Sequence, residues 1–277
     1  MTRIALLQMR SGIDPARNAS RLEDAAAEAA AGGARMLFTP EMSGLLDRDR
    51  KRAVASITSQ QEDIVLQRVK AAAAKHGLCV SLGSLAITDN RSDGRLSNRS
   101  LLIDDKGEIY ATYDKIHLFD VDLPSGESWR ESAAYLAGER IVVAETPVGV
   151  LGLSICYDVR FPDQYQALSA AGAQILSVPA AFTVPTGKAH WHILLRARAI
   201  ENACWVVAAA QSGIHEDGRN TFGHSLVIDP WGEVVLDMGE GERLAFAEID
   251  LARVDDARVR IPVIAHRRSL SEAIRSK

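Results

Sequence analysis

Three short stretches of the chain each place a reactive side chain at the end of a β-type run. TPEMSGLL carries Glu41, YDKIHLFD carries Lys115, and SICYDVRFP carries Cys156. A thiol can attack a carbonyl, a carboxylate can take the thiol proton, and a cation can hold the developing oxyanion. Together they are the parts needed to hydrolyse an amide. Taken singly, each has a plainer reading. A cysteine at the end of an apolar strand is ordinarily a small hydrophobe, and a loop glutamate or an exposed lysine is ordinarily solvated surface. The joint set of nucleophile, base and cation is what points to catalysis.

Rival constellations are weaker. A Cys-His hydrolase needs an imidazole within reach of Cys156. His117 and His224 are the candidates, and neither lies in a papain-like or caspase-like signature. His190 and His192 form an HWH, but on a helix they point to different sides, whereas a helical metal pair is spaced three or four apart. A structural or substrate-lining role suits them better. Arg160 is read first as a salt bridge to Asp158 or another acid that fixes the turn after Cys156, and second as an anchor for a substrate carboxylate. Trp129, Trp191, Trp205 and Trp231 are read as packing residues.

The elements that must position these groups alternate. RIALLQM (3 to 9) reads as a strand. Asp14 then offers an N-cap with Pro15 at the first helical position, and the alanine-rich helix that follows ends at Gly32 and Gly33. RMLFT (35 to 39) makes the unit strand, helix, strand with a parallel crossover, leaving Glu41 just past the strand's carboxyl end. Residues 60 to 76 are helical in pattern and 78 to 87 resume the sheet. Hairpin signals follow at 105 to 107 and 147 to 149. Helices over 163 to 171 and from about 188 to 203 alternate with strands at QILSVPA and WVVAAAQ, and a last hairpin turns at 230 to 232. The expected fold class is α/β, with strands covered by helices on one face and by a second sheet on the other.

The chain has 277 residues, 47% of them hydrophobic, enough for one large core, and a single domain over 1 to 277 is expected. A net charge of −4 with scattered Lys and Arg speaks against nucleic acid as a partner. No run reaches the length of a membrane span and the amino terminus lacks a signal peptide, so no membrane partner and a cytoplasmic location are expected. Cys79, Cys156 and Cys204 are too few and too scattered for a disulfide framework or a zinc site. In the final stretch, 251 to 277, Ile261, Val263 and Ile264 interrupt a charged run with no obvious local burial partners. That extension is expected at a subunit interface, the plainer reading being a strand or loop folded back on its own domain.

The ordered set PEMS, DKIHLFD and CYDVRFP resembles the nitrilase superfamily, carbon–nitrogen hydrolases that use a Glu-Lys-Cys triad. RESAAYLAGE, AHWHILLRARAIEN and FGHSLVIDPWGEVV extend the resemblance over nearly the whole chain and toward its Nit-type amidases. The resemblance implies a four-layer α-β-β-α sandwich, no metal or organic cofactor, and a homodimer or larger homo-oligomer. It also implies a fourth functional residue, Glu131. Cys156 would form a thioester, Glu41 would act as base, and Lys115 with the Tyr157 N–H would hold the oxyanion. Glu131 would orient the lysine or the substrate. The implied activity is hydrolysis of a small carboxylated amide to acid and ammonia, closest to the branch acting on deaminated glutathione. The alternatives are an ω-amidase acting on α-ketoglutaramate and a catalytically idle binding or assembly subunit of the same fold. The intact triad stands against the idle subunit.

Overall fold

The computed structural model describes residues 1–89, 93–122, 126, 128–270 and 273–275. In chain order the elements are β1 (Thr2–Gln8), α1 (Pro15–Ala31), β2 (Met36–Phe38), α2 (Arg50–Val54), α3 (Ile64–His76), β3 (Cys79–Thr88), β4 (Leu96–Ile103) and β5 (Ile109–Asp114). There follow β6 (Asp120–Asp122), β7 (Ser128–Arg130), β8 (Val143–Thr146), β9 (Gly149–Leu153), α4 (Pro162–Ala170), β10 (Ile175–Ser177), α5 (Val184–Asn202) and β11 (Trp205–Ala208). The chain continues with β12 (Ser212–Ile214), β13 (Asn220–Phe222), β14 (Leu226–Ile228), β15 (Val234–Asp237), β16 (Arg243–Ile249) and α6 (Ala252–Arg260).

Local signals set the helix starts. The Asp14 carboxylate accepts the N–H groups of Ala16 (2.9 Å) and Arg17 (3.4 Å), with Pro15 opening α1, as expected of an N-cap. Helix α3 starts at Ile64 and not near 60, because Asp63 accepts the Leu66 N–H at 2.8 Å and so caps it there.

Two six-stranded sheets run in the orders β16-β1-β2-β3-β4-β5 and β15-β14-β11-β10-β9-β8. β1 and β2 are parallel, as the short crossover predicts. Alternate residues of β1 serve different layers. Ala5 and Leu7 pack with Leu22 of α1 and Leu66 of α3, whereas Ile4 and Leu6 face Leu151, Ile175 and Val206 of the other sheet. Tyr165, Trp191 and Leu195 from α4 and α5 join the second sheet's core. The layers are therefore α-β-β-α, the expected sandwich. Each buried Leu, Ile or Val contributes about 1.5 to 3 kcal/mol.

The first part of the 251 to 277 run is helix α6, whose Val254 and Ala257 are buried in the domain's own core. Ile261 is 51% exposed, while Val263 and Ile264 are partly covered. Residues 271, 272, 276 and 277 of that run lie outside the described residues. Among the described residues no helix is long and apolar enough to cross a membrane.

Two glycines let the sheets approach the reactive loops. A β-carbon on Gly83 of β3 would lie 2.1 Å from the Thr39 carbonyl oxygen and 2.4 Å from that of Pro40, the residues leading into Glu41. One on Gly138, in RESAAYLAGE, would lie 2.1 Å from the Asp114 carbonyl oxygen, and the Gly138 N–H donates to the Lys115 carbonyl at 2.8 Å. Because both clashes are with backbone, neither can be relieved by a rotamer change. Gly83→Ala is expected to lower stability by about 1 to 3 kcal/mol through overpacking, read by urea denaturation. It should also lower amidase turnover by more than the unfolded fraction explains, because the Glu41 loop must move.

Candidate active site

Glu41 follows β2 across a short loop held against β3. The Met42 N–H donates to Ser84 Oγ at 3.0 Å and the Ser43 N–H to the Ser84 carbonyl at 3.0 Å, with Met42 in the left-handed region at φ 55°. Lys115 follows β5, its N–H donating to the Asn98 carbonyl at 2.9 Å. Cys156 follows β9 and opens a 3-10 turn over Cys156–Arg160. It too is left-handed, at φ 49°, a costly conformation for a residue with a β-carbon, and its N–H is held by the Pro179 carbonyl at 2.8 Å. The Tyr157 N–H, in the first turn, has no intrahelical acceptor.

These segments bring Glu41, Lys115, Glu131 and Cys156 together on the wall of one cavity of about 690 Å³. Lys115 Nζ lies 2.9 Å from Glu41 Oε1 and 2.9 and 3.1 Å from the two oxygens of Glu131. The lysine is 2% exposed and Glu41 5%. The two carboxylates are held differently. Glu41 directs Oε1 to Lys115 and accepts the Ala181 N–H on Oε2 at 2.9 Å, whereas Glu131 spends both oxygens on Lys115 and also accepts the Phe119 N–H at 2.7 Å. Asn98 Nδ2 bridges them, at 3.0 Å from Glu41 and 3.1 Å from Glu131. No short-range signal marked Asn98, since a neutral amide in a strand is an ordinary residue.

Burial opposes every charge here, yet ion pairing wins for two of the groups. Glu41 is desolvated, but the Lys115 ammonium and the hydrogen bonds from Lys115 and Asn98 bring its pKa below the usual value. Burial likewise opposes the Lys115 charge, and Glu131 with Glu41 hold its pKa well above that of an ordinary lysine. Burial and the Glu41 charge push the Cys156 thiol well above its ordinary value, outweighing the pull of Lys115. The resting pair at neutral pH is therefore thiol and carboxylate. Glu41 is placed to accept the thiol proton.

Asp158 ties the cysteine turn to the lysine loop. Its Oδ2 accepts Tyr113 Oη–H at 2.6 Å and the Ile155 N–H at 2.8 Å, and its Oδ1 accepts the His117 N–H at 3.0 Å and lies 2.8 Å from His117 Nδ1. This overturns the reading of Arg160 as the partner of Asp158. Among the described residues Arg160 has no carboxylate partner. Nη1 donates to His190 Nδ1 at 3.3 Å, and the guanidinium lies over the rings of Phe182 (5.3 Å) and Tyr157 (5.9 Å), which line the cavity although Arg160 does not. His117, stacked on Phe161 at 3.6 Å, belongs to the Asp158 network.

His192 and His190 point apart, as expected. His192 Nε2 lies 3.0 Å from Asp237 Oδ2, and His224 Nδ1 lies 2.9 Å from Asp237 Oδ1. These three could offer ligand atoms to a metal ion, but each atom is already engaged in the trio's own hydrogen bonds. The packing reading holds for the buried Trp191 and Trp205 but not for Trp231, 57% exposed, nor for Trp129, which lines the cavity.

Removing the ammonium alone should expose the cost of the buried carboxylates. Lys115→Met is expected to destabilise the fold by about 3 to 5 kcal/mol at neutral pH. In the native protein Glu41, with its lowered pKa, contributes stability above its unfolded pKa that is lost as pH falls through the folded value. In the variant the Lys115 charge and hydrogen bond are gone, and burial, the largest influence on Glu41, is opposed only by the remaining hydrogen bonds such as those from Asn98 and the Ala181 N–H, so its pKa rises and the deficit should shrink as the pH falls and the carboxyl protonates. Urea denaturation of both proteins at pH 7 and pH 5 checks this. A deficit independent of pH would mean that the carboxylates are not its source.

A family model described as carbon-nitrogen hydrolase matches residues 3–259 of the chain. The deaminated glutathione amidase of Yersinia enterocolitica is 39% identical over 272 residues, 98% of this chain and 94% of that protein. The crystal structure of the Caenorhabditis elegans NitFhit protein superposes with a TM-score of 0.89 at 41% identity, covering 96% of this chain and 65% of that longer one. An amidase from Nesterenkonia sp. AN1, in a structure showing Michael addition of acrylamide at its active-site cysteine, superposes with a TM-score of 0.77 at 29% identity over 95% of this chain and 98% of that one.

Proposed function

The chain belongs to the carbon–nitrogen hydrolase family and is an amidase, and from that premise we propose that it hydrolyses deaminated glutathione through a thioester on Cys156. The observation that carries the mechanism is the convergence of Cys156, Glu41, Lys115 and Glu131 on one cavity. The substrate reading draws support from similar proteins that carry that name.

Sγ of Cys156 attacks the carbonyl carbon while its proton passes to Glu41. Of the three Lys115 N–H donors one faces Glu41 and two face the oxygens of Glu131, and one of those two turns from Glu131 to the oxyanion beside the Tyr157 N–H as charge develops there. Glu41 then gives its proton to the leaving nitrogen, the C–N bond breaks, and the acyl group remains as a thioester. Water deprotonated by Glu41 attacks the thioester, the acid leaves, and the thiol recovers its proton. Glu131, with both oxygens on Lys115, keeps the ammonium aimed. Arg160, desolvated and without a carboxylate partner among the described residues, is the proposed anchor for the 2-oxo carboxylate, its guanidinium turning past the Tyr157 and Phe182 rings to reach the cavity. Three buried free thiols suit a cytoplasmic setting. Assembly through the terminal run, where Val259 is 80% exposed, completes the proposal.

Deaminated glutathione is a 2-oxo acid joined through its γ-carboxyl to cysteinylglycine. Its leaving group is thus the dipeptide's amine and not the ammonia expected from the sequence. α-Ketoglutaramate, the substrate of the ω-amidase alternative, does release ammonia. Following both products across these two compounds, a simple amide and a nitrile should show highest kcat/KM for release of cysteinylglycine, and none with a folded Cys156→Ala variant. Preference for α-ketoglutaramate would replace the substrate, and turnover by Cys156→Ala would remove the mechanism.

Glu41→Gln keeps shape but cannot accept a proton. It is expected to slow both formation and hydrolysis of the thioester by about a hundred- to ten-thousandfold, whereas Glu131→Gln should spare alkylation of Cys156 by a small reagent more than it spares amide turnover. Rapid-quench measurement of the two half-reactions separates them. Acylation of Glu41→Gln at the native rate would show that the base lies elsewhere.

A further inference from the structure

Part of the cavity wall has no role in the triad chemistry. Trp129 of β7 and Arg219, from the turn between β12 and β13, line the same cavity as Cys156, together with Arg48. The Arg219 guanidinium carbon lies 4.8 Å from the Trp129 ring centroid and that of Arg48 lies 5.8 Å from it. Two donors there lack acceptors among the described residues: Arg219 Nε and Trp129 Nε1 are buried and form no hydrogen bond to any of them. Buried N–H groups without partners are uncommon and costly, so each calls for an explanation.

The nearby acids leave Arg219 Nε and the indole N–H unserved. Asp217 accepts the backbone N–H of Arg219 and that of Arg48, each at 2.9 Å, and reaches the Arg219 guanidinium only at 3.5 Å. Asp47 is engaged by the Arg52 side chain at 2.6 and 2.8 Å. Desolvation works against the charge on Arg219, which makes an incoming anion more welcome there than at a solvated arginine. Two cations and an indole N–H without an acceptor match a planar carboxylate, whose two oxygens take several donors at once. The group sits on β7 and the β12–β13 turn, apart from the Cys156 turn that carries Arg160. The cavity's 690 Å³ can hold a ligand of about twenty heavy atoms with a charge at each end.

We propose that Arg219, with Trp129 Nε1 and Arg48, forms a carboxylate subsite that holds the glycine carboxylate on the leaving side of the scissile amide. This rests on the substrate reading above and makes Arg219 a determinant of choice between deaminated glutathione, which has that carboxylate, and α-ketoglutaramate, which does not.

Binding can be separated from turnover in the Cys156→Ala protein, using calorimetry with deaminated glutathione and with its glycine methyl ester. The free acid is expected to bind about ten- to hundredfold tighter than the ester, the range of a charge-assisted hydrogen-bonded pair. Adding Arg219→Met should abolish that ratio with little change in ester affinity, and Arg219→Lys should restore part of it. Trp129→Phe, which keeps the ring and removes Nε1–H, should narrow it severalfold and serves if the arginine variants fail to fold. Equal affinity for acid and ester in the Cys156→Ala protein, an undiminished ratio in Arg219→Met, or binding of neither compound would overturn the subsite. A clear ratio in a protein whose native form releases no cysteinylglycine would instead keep the subsite and reject the proposed reaction.

Discussion

A lysine ammonium buried between two carboxylates is the constraint on which the rest of this molecule depends. At 2% exposure Lys115 has almost no water to solvate it, so the side chains of Glu41 and Glu131 must stay within about 3 Å of it. Glu41 arrives after β2, Lys115 after β5, and Glu131 after β7, and Asn98 of β4 spans the carboxylates. Because a misplaced member would leave an unpaired buried charge, the same cluster fixes the relative positions of three loops and strand β4. The carboxylate beside the thiol is kept ionised by the lysine, which is the protonation state a base requires.

A second network aligns the Cys156 turn with that cluster. Asp158, wholly buried, accepts from Tyr113 of β5, from the loop after Lys115, and from the residue before Cys156. One carboxylate therefore connects the cysteine turn to the lysine loop, and the left-handed backbone at Cys156 is held from both sides. Strain of this kind persists only where the surroundings over-determine it. The glycine contacts follow the same logic, since Gly83 and Gly138 admit backbone oxygens of the Glu41 and Lys115 segments where a β-carbon would exclude them.

The cavity is polarised in a way that follows from its construction. The triad region combines two carboxylates with one ammonium, whereas the wall around Trp129 carries guanidinium groups whose nearest acids are occupied. A substrate with an amide in the middle and an anionic end would meet complementary partners along its length, and electrostatic fit of this kind contributes selectivity more than raw affinity.

What the sequence by itself determined was the order of elements, the four-layer class and which side chains to look for at the site. Caps, turn residues and helix periodicity act over a few neighbours, and the motif residues around Glu41, Lys115, Glu131 and Cys156 are contiguous in the chain. The α1 boundaries and the parallel β1–β2 crossover were legible for that reason. Only the tertiary structure decided which partners the charges take. Arg160 lost Asp158 to Tyr113, His117 and the Ile155 N–H, Asn98 became the bridge between two carboxylates, and Trp129 turned from packing residue to cavity wall. The last strand, β16, pairs antiparallel with the first, residue 249 opposite residue 2. Such contacts join segments tens to hundreds of residues apart, and a buried charge chooses its partner by distance and desolvation in three dimensions, which no local pattern encodes.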